Sequence, residues 1–151
     1  MIIQEDSRQQ VGKHELKRQG MIAAGHRIFR SKVIVGDYCK PPTVAVDTKE
    51  NMSEIAQNIG GTKDEHQRFI REVKLAQEIG CQLYVLVENE DGITCIDDVA
   101  AWYNPRTEYS PNCIQGPRLA KAMHTIEGRY GCVFMFCRPE EAAEIIVDLL
   151  R

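Results

Sequence analysis

The sequence has no run of about 18 apolar residues that would cross a bilayer, and its start, Met1-Ile2-Ile3-Gln4-Glu5-Asp6, lacks the positive stretch and apolar run of a secretory leader. The expectation is a soluble, cytoplasmic protein without a membrane role. There is no Cys-x-x-Cys pair, and Cys132 and Cys137 have no histidine at zinc-finger spacing, so a structural zinc site is not expected. A chain of this size can build a core without staples, so the six cysteines read as reduced thiols. Internal repeats and low-complexity tracts are missing, and the near-average composition excludes disordered and fibrous classes. Gly60-Gly61-Thr62-Lys63 lacks the full phosphate-loop pattern, which argues against nucleotide binding.

What remains is a globular composition, 43% hydrophobic and 27% charged over 151 residues, enough for one domain spanning 1–151. The net charge of −3 hides an asymmetry. Residues 1–50 carry nine Lys/Arg against six Asp/Glu, a net of +3, and the rest of the chain carries −6. A basic first third on an acidic whole is compatible with a localised phosphate-binding face or with an ordinary solvated surface.

Along the chain, 2–6 reads as a strand that delivers Asp6, Ser7 and Arg8 at its end. Residues 11–24 read as a helix closed by Gly25, and 27–38 as a bent strand or strand pair breaking at Gly36. Residues 43–49 form a β-branched strand ending in charge. A short helix over 54–59, capped by Ser53, precedes the clearest helix, 62–79, where Phe69, Val73, Ala76 and Ile79 recur at helical spacing. The continuous apolar run 81–88 is the kind of strand buried on both faces. Strand, helix, strand is a crossover unit, so an α/β domain with a central mixed sheet flanked by helices is expected. Further on, 104–117 holds three prolines and reads as an exposed loop. A helix bearing Leu119, Met123 and Ile126, a strand over 132–137 and a last helix opened by Pro139 complete the sheet.

The informative constellation is Gly36-Asp37 followed, ten residues after Asp37, by Asp47-Thr48-Lys49. Hydrolysis of a phosphodiester calls for metal ions that polarise a phosphoryl oxygen and generate a nucleophile, and Mg²⁺ favours carboxylates. Residues two apart in a strand share a face, so Asp47 and Lys49 would meet one scissile phosphate. Asp47 would hold metal, Lys49 would orient water or stabilise developing charge, and Thr48 would face away, offering only its carbonyl as a further metal ligand. Taken alone, Asp-x-Lys after an Asp is also what a charged strand end looks like. His14 and His66 are histidines that could approach the site from their helices.

In order, Asp6-Ser7-Arg8, Val35-Gly36-Asp37-Tyr38, Val46-Asp47-Thr48-Lys49, the helix and Tyr84-Val85-Leu86-Val87-Glu88-Asn89 resemble the XPF-type nuclease domain, a branch of the PD-(D/E)XK nuclease superfamily. The likeness covers the core 2–89 and is also similar to small standalone members met in bacteria and phages. The resemblance implies a restriction-endonuclease-like core and a Mg²⁺- or Mn²⁺-dependent endonuclease that cuts branched or flapped DNA in recombination, repair or phage DNA processing. Asp37 matches the aspartate of the motif's Gly-Asp, Asp47 its glutamate and Lys49 its lysine, while Asp6 and Arg8 match an early Asp-x-Arg element. Gln9 stands where a glutamate is usual, Thr48 replaces the motif arginine, and the closing aspartate falls on Ser53 with Glu54 one residue late.

Nothing after Asn89 resembles the tandem helix-hairpin-helix module of larger relatives, so DNA would be met by the domain's own surface, as a homodimer, or with a protein partner. Candidate phosphate contacts are Lys13, Lys17 and Arg18 on the first helix and Arg68, Arg71 and Lys74 on the long one. The alternative reading is a catalytically degenerate DNA-binding or scaffolding module on the same fold, and a third is an interaction protein with no nucleic-acid role. The elaboration 93–151 has no assigned part.

Overall fold

A computed structural model of the chain describes residues 1–33, 35–40 and 44–151. Six strands form one mixed sheet in the order β2-β1-β3-β4-β5-β6. They are β1 (Ile2–Asp6), β2 (Arg27–Ser31), β3 (Tyr38–Lys40), β4 (Val44–Lys49), β5 (Gln82–Glu88) and β6 (Val133–Cys137). Only β3 runs against the others. That reversal positions the site, because the start of β3 lies at the same end of the sheet as the finishes of β1 and β4. Asp37, just before β3, is held there by two backbone bonds: Asp6 N–H donates to the Asp37 carbonyl at 2.7 Å, and Asp37 N–H donates to the Val46 carbonyl at 2.8 Å.

Helices α2 (Met52–Gly60), α3 (Lys63–Glu78), α4 (Ile96–Val99) and α5 (Gly116–Tyr130) cover one face of the sheet, and α1 (Glu15–Ala23) and α6 (Ala142–Leu150) cover the other. Strand alternation divides the side chains between the two cores. Ala45, Leu83, Val85 and Val87 pack with Phe69, Val73 and Met123, whereas Val46 and Leu86 pack with Met21 and Ile146. Both faces of β5 are therefore buried, which is why its sequence is nearly unbroken in apolar residues. Trp102, Met123 and Phe134 lie in the core.

Several local expectations shift. The helix expected over 11–24 begins at Glu15, because Gly12 at φ +88° carries a turn that delays it, and His14 at the N-cap gives no side-chain cap. Asn51 rather than Ser53 caps α2: its side chain accepts the Glu54 N–H at 2.8 Å. Thr62 and Glu65 form a reciprocal capping box on α3. The stretch 104–117 is not a bare loop. It contains a 3-10 turn, Pro105–Glu108, anchored by Asn104, which is 1% exposed and holds the Arg106 N–H and the Ile114 carbonyl. Pro139 opens a 3-10 turn, and α6 starts three residues later. The expectations for Ile34 and for a strand start at Thr43 lie outside the described residues. The six cysteines are free thiols; burial pushes Cys132 up to about 11 and Cys137 up to about 12.

Candidate active site

At the charged end of the sheet, four elements converge on one cleft of about 360 Å³, lined by Asp6, Arg8, Asp37, Asp47, Arg68 and Glu72 among others. β4 places Asp47 and Lys49 on the α3 side, with Lys49 Nζ 3.0 Å from Asp47 Oδ2 and 5.8 Å from the centre of the Phe69 ring. Thr48 points to the opposite face. Its amide and hydroxyl donate to Asp37 Oδ2 at 2.7 and 2.8 Å, so one oxygen of Asp37 is fixed and Oδ1 is without a hydrogen bond among the described residues.

The turn before Asp37 is tightly specified. Gly36 sits at φ +76°, and a Cβ there would lie 3.0 Å from the Val46 carbonyl oxygen. Its N–H donates to Glu72 Oε1 at 2.8 Å. Glycine is the residue that tolerates both the left-handed backbone and the close approach.

Asp47 is 6% exposed, and its buried Oδ2 has no aligned hydrogen bond even though Lys49 is in ion-pair range. Burial pushes this carboxyl well above the usual carboxylate range; Lys49 pulls it down, and the neighbouring charges of Asp37 and Glu72 push it further up. A buried carboxylate crowded by like charges, with the Lys49 ammonium in ion-pair range but poorly aligned to it, is an environment that a small cation relieves. Asp37 and Asp47 are hard oxygen donors of the type Mg²⁺ and Mn²⁺ take, so the residues fit such an ion. As the side chains stand, no three His, Cys, Asp or Glu among the described residues form a ready ligand group.

The other expected site residues divide. Asp6 lines the cleft but is engaged by Arg8, whose Nε lies 3.0 Å from both of its carboxylate oxygens and whose guanidinium also donates to the Val33 carbonyl. Arg68 and Arg71 line the cleft, and Lys74 is exposed further along α3. His14 is buried on the far side of β4, its Nδ1 3.3 Å from Tyr38 Oη and 3.5 Å from Thr48 Oγ1. Burial, with Lys17 and Lys13 adding to it, holds this imidazole below its ordinary value. His66 instead sits over the Ile59 carbonyl. Gln9 is partly buried with its side-chain amide unsatisfied.

Glu54 accepts the Glu50 N–H and shares a different cleft with Lys13, so the structure does not bring it to the carboxylates. Lys17, expected as a surface phosphate contact, is buried, its ammonium 2.7 Å from Glu88 Oε2. Arg18 lies 3.7 Å from Glu5. Tyr38, next to Asp37, is fully buried and packs in the core.

The residue that sequence reasoning missed is Glu72. Its only local signal is its place beside Phe69 and Val73, at the border of the apolar face of α3, four residues after Arg68.

No protein-family model and no curated protein matches the sequence. Solved structures do match. XPF from Aeropyrum pernix aligns over 100% of this chain with a TM-score of 0.71 at 18% identity, and XPF from Aeropyrum pernix in complex with DNA aligns over 99% with a TM-score of 0.69 at 18% identity. This chain spans 64% and 63% of those two chains. Among the described residues no helix is long and apolar enough to cross a membrane. The fold is XPF-like: an α/β architecture with a six-stranded mixed sheet flanked by helices.

Proposed function

We propose that this chain is a Mg²⁺- or Mn²⁺-dependent endonuclease that hydrolyses phosphodiester bonds in branched or flapped DNA. The observation that carries the reading is Asp47 Oδ2, buried without an aligned hydrogen bond beside Asp37 and Lys49 at the sheet end. The XPF-like fold, one example of which was solved with DNA, supports the choice of polymer.

In this reading Asp37 and Asp47 hold the ion, with the Thr48 carbonyl as a further donor. The ion would supply charge neutralisation and polarisation of a phosphoryl oxygen. Thr48 fixes one oxygen of Asp37, so the carboxylate is oriented before any ligand arrives. Lys49 is held against Asp47 and the Phe69 ring, from where its ammonium can orient water or stabilise negative charge developing on the phosphate. Arg68 and Arg71, at the rim of the same cleft, bind flanking phosphates. The Asp6–Arg8 pair buttresses the turn after β1 and presents a half-exposed guanidinium to the cleft.

The test is incubation with labelled single-strand, duplex, flap and four-way-junction DNA, with Mn²⁺ and then EDTA, alongside Lys49→Ala. Metal-dependent cutting that disappears in the variant supports the reading. Binding without cutting of any substrate favours the second reading, a non-catalytic DNA-binding module, for which the lack of a preassembled three-ligand group among the described residues is the motivating observation. Action as a single unit over 1–151, as a homodimer or beside a protein partner in recombination or repair belongs to the same proposal.

A further inference from the structure

The cleft at the carboxylates does not end at α3. Arg71, on its rim, also lines a shallow groove of about 770 Å³ along the outer face of α3, with Lys74. His66 and Ile70 in turn are shared between that groove and a third, about 540 Å³, between α3 and α5. The three hollows therefore form one track. Its cations are Arg68, Arg71 and Lys74 from α3 and Arg118, Lys121 and Arg129 from α5.

Seven of the 19 basic residues lie in ion-pair range of a carboxylate, but none of these six does among the described residues. Beyond the carboxylates of the site, Glu78 on the outer face of α3 is the acid that lines the track. On a chain of net charge −3, six unpaired cations gathered on one connected surface make a positive patch complementary to an anionic partner. Ile59, Ile70 and Ile126 floor the α3/α5 groove, where arginine and lysine stems can lie with their heads in water. Arg118, Lys121 and Arg129 follow helical spacing on one side of α5 and span about 16 Å at 1.5 Å per residue, the axial length of about five phosphates of one strand.

We infer that the α3/α5 groove is a nucleic-acid track that receives the phosphate backbone of a duplex arm running away from the carboxylate cleft, with α5 of the C-terminal elaboration supplying half of its cations. The inference rests on the proposed nuclease reading for the direction of the track. It assigns a part to a region, 93–151, that the motif-bearing core leaves unexplained.

Binding of fluorescein-labelled duplex DNA is measured in EDTA between 50 and 200 mM salt, so that the groove is read without any cleavage. The triple variant Arg118→Ala/Lys121→Ala/Arg129→Ala should bind more weakly at the lowest salt and flatten the slope of log K against log salt by about 2–3, near 0.9 per lost phosphate contact. Its thermal unfolding should match the wild type, since all three residues are exposed. A control triple on the β2 and β3 side, Arg27→Ala/Lys32→Ala/Lys40→Ala, should leave the slope nearly as it was.

An unchanged slope in the α5 triple overturns the inference, as does wild-type protein that fails to bind. So does a loss of self-association in light scattering with DNA affinity intact, which would make the groove a contact between copies of the chain. Failure of cleavage in Mn²⁺ with this salt dependence intact would remove the nuclease reading and leave the track standing.

Discussion

Glu72 Oε1 accepts the N–H of Gly36 at 2.8 Å, so the turn carrying Asp37 is tied to a helix 36 residues further along the chain. Beyond the two backbone bonds that hold it at the sheet end, Asp37 thus has two restraints from different layers: Thr48 on its carboxylate and Glu72 on the peptide that precedes it. Removal of the second restraint in Glu72→Ala should speed hydrogen exchange at the Gly36 amide and cost up to about 1.5–3 kcal/mol, the net worth of a hydrogen bond to a charged group, less what is regained by relieving its repulsion with Asp47. Glu72→Gln retains an oxygen acceptor and should restore exchange protection. Should Gln fail where Glu succeeds, with protection retained but cleavage lost, the charge of Glu72 and not its hold on the turn is what the site requires.

A divalent ion should stabilise the protein. Asp37, Asp47 and Glu72 crowd like charge into one cleft, and an ion that binds the folded state alone adds about 2.7 kcal/mol at 100-fold its Kd. For a chain of this length that is a rise in Tm of about 5–10 °C. Differential scanning fluorimetry with Mn²⁺ should show the rise in wild type and its loss in Asp47→Asn. An equal rise in both would place the ion elsewhere.

Helix α2 follows directly on β4, the strand that carries Asp47 and Lys49, and its cap tests how that junction is built. Asn51→Ala should cost about 0.5–2 kcal/mol in urea unfolding, whereas Ser53→Ala, which removes no cap and places a better helix former inside α2, should change stability by no more than about a few tenths.

How much of this was legible in the sequence follows from the range of each interaction. The apolar run of β5, the periodicity of α3 and the Asp47/Lys49 spacing are local signals, and they predict two-sided burial, a crossover helix and a shared face, all of which the structure contains. The start of α1 was misplaced because nothing local marks it: Gly12 adds a turn and His14 caps with no side-chain bond. Asn51 and Ser53 are both competent caps, and the choice between them depends on where β4 lets go of the sheet. Glu72 was invisible because its partner is the backbone of a distant turn, and an amide leaves no mark in a residue pattern. Lys17 looked like one more solvated charge. Its burial is dictated by Glu88, 71 residues away.

That buried pair makes a prediction with a definite sign. Lys17 and Glu88 are almost entirely enclosed between α1 and the end of β5, and burial raises the Glu88 carboxyl above its usual range, with Lys17 opposing through its hydrogen bond and charge. Lys17→Met leaves the carboxylate buried alone, which typically costs about 3–5 kcal/mol. A carboxyl raised in the folded state binds its proton more tightly there than in the unfolded chain, so stability falls as pH climbs from the unfolded value towards the folded one, then levels. The penalty of Lys17→Met should therefore be smaller at pH 5 than at pH 7.5 in urea melts. The double variant Lys17→Met/Glu88→Leu should recover most of the loss at neutral pH, since two apolar groups replace the pair. DNA binding of that double variant, measured in EDTA, should equal the wild type. A clear drop in affinity without a drop in stability would return Lys17 to the phosphate-contacting surface.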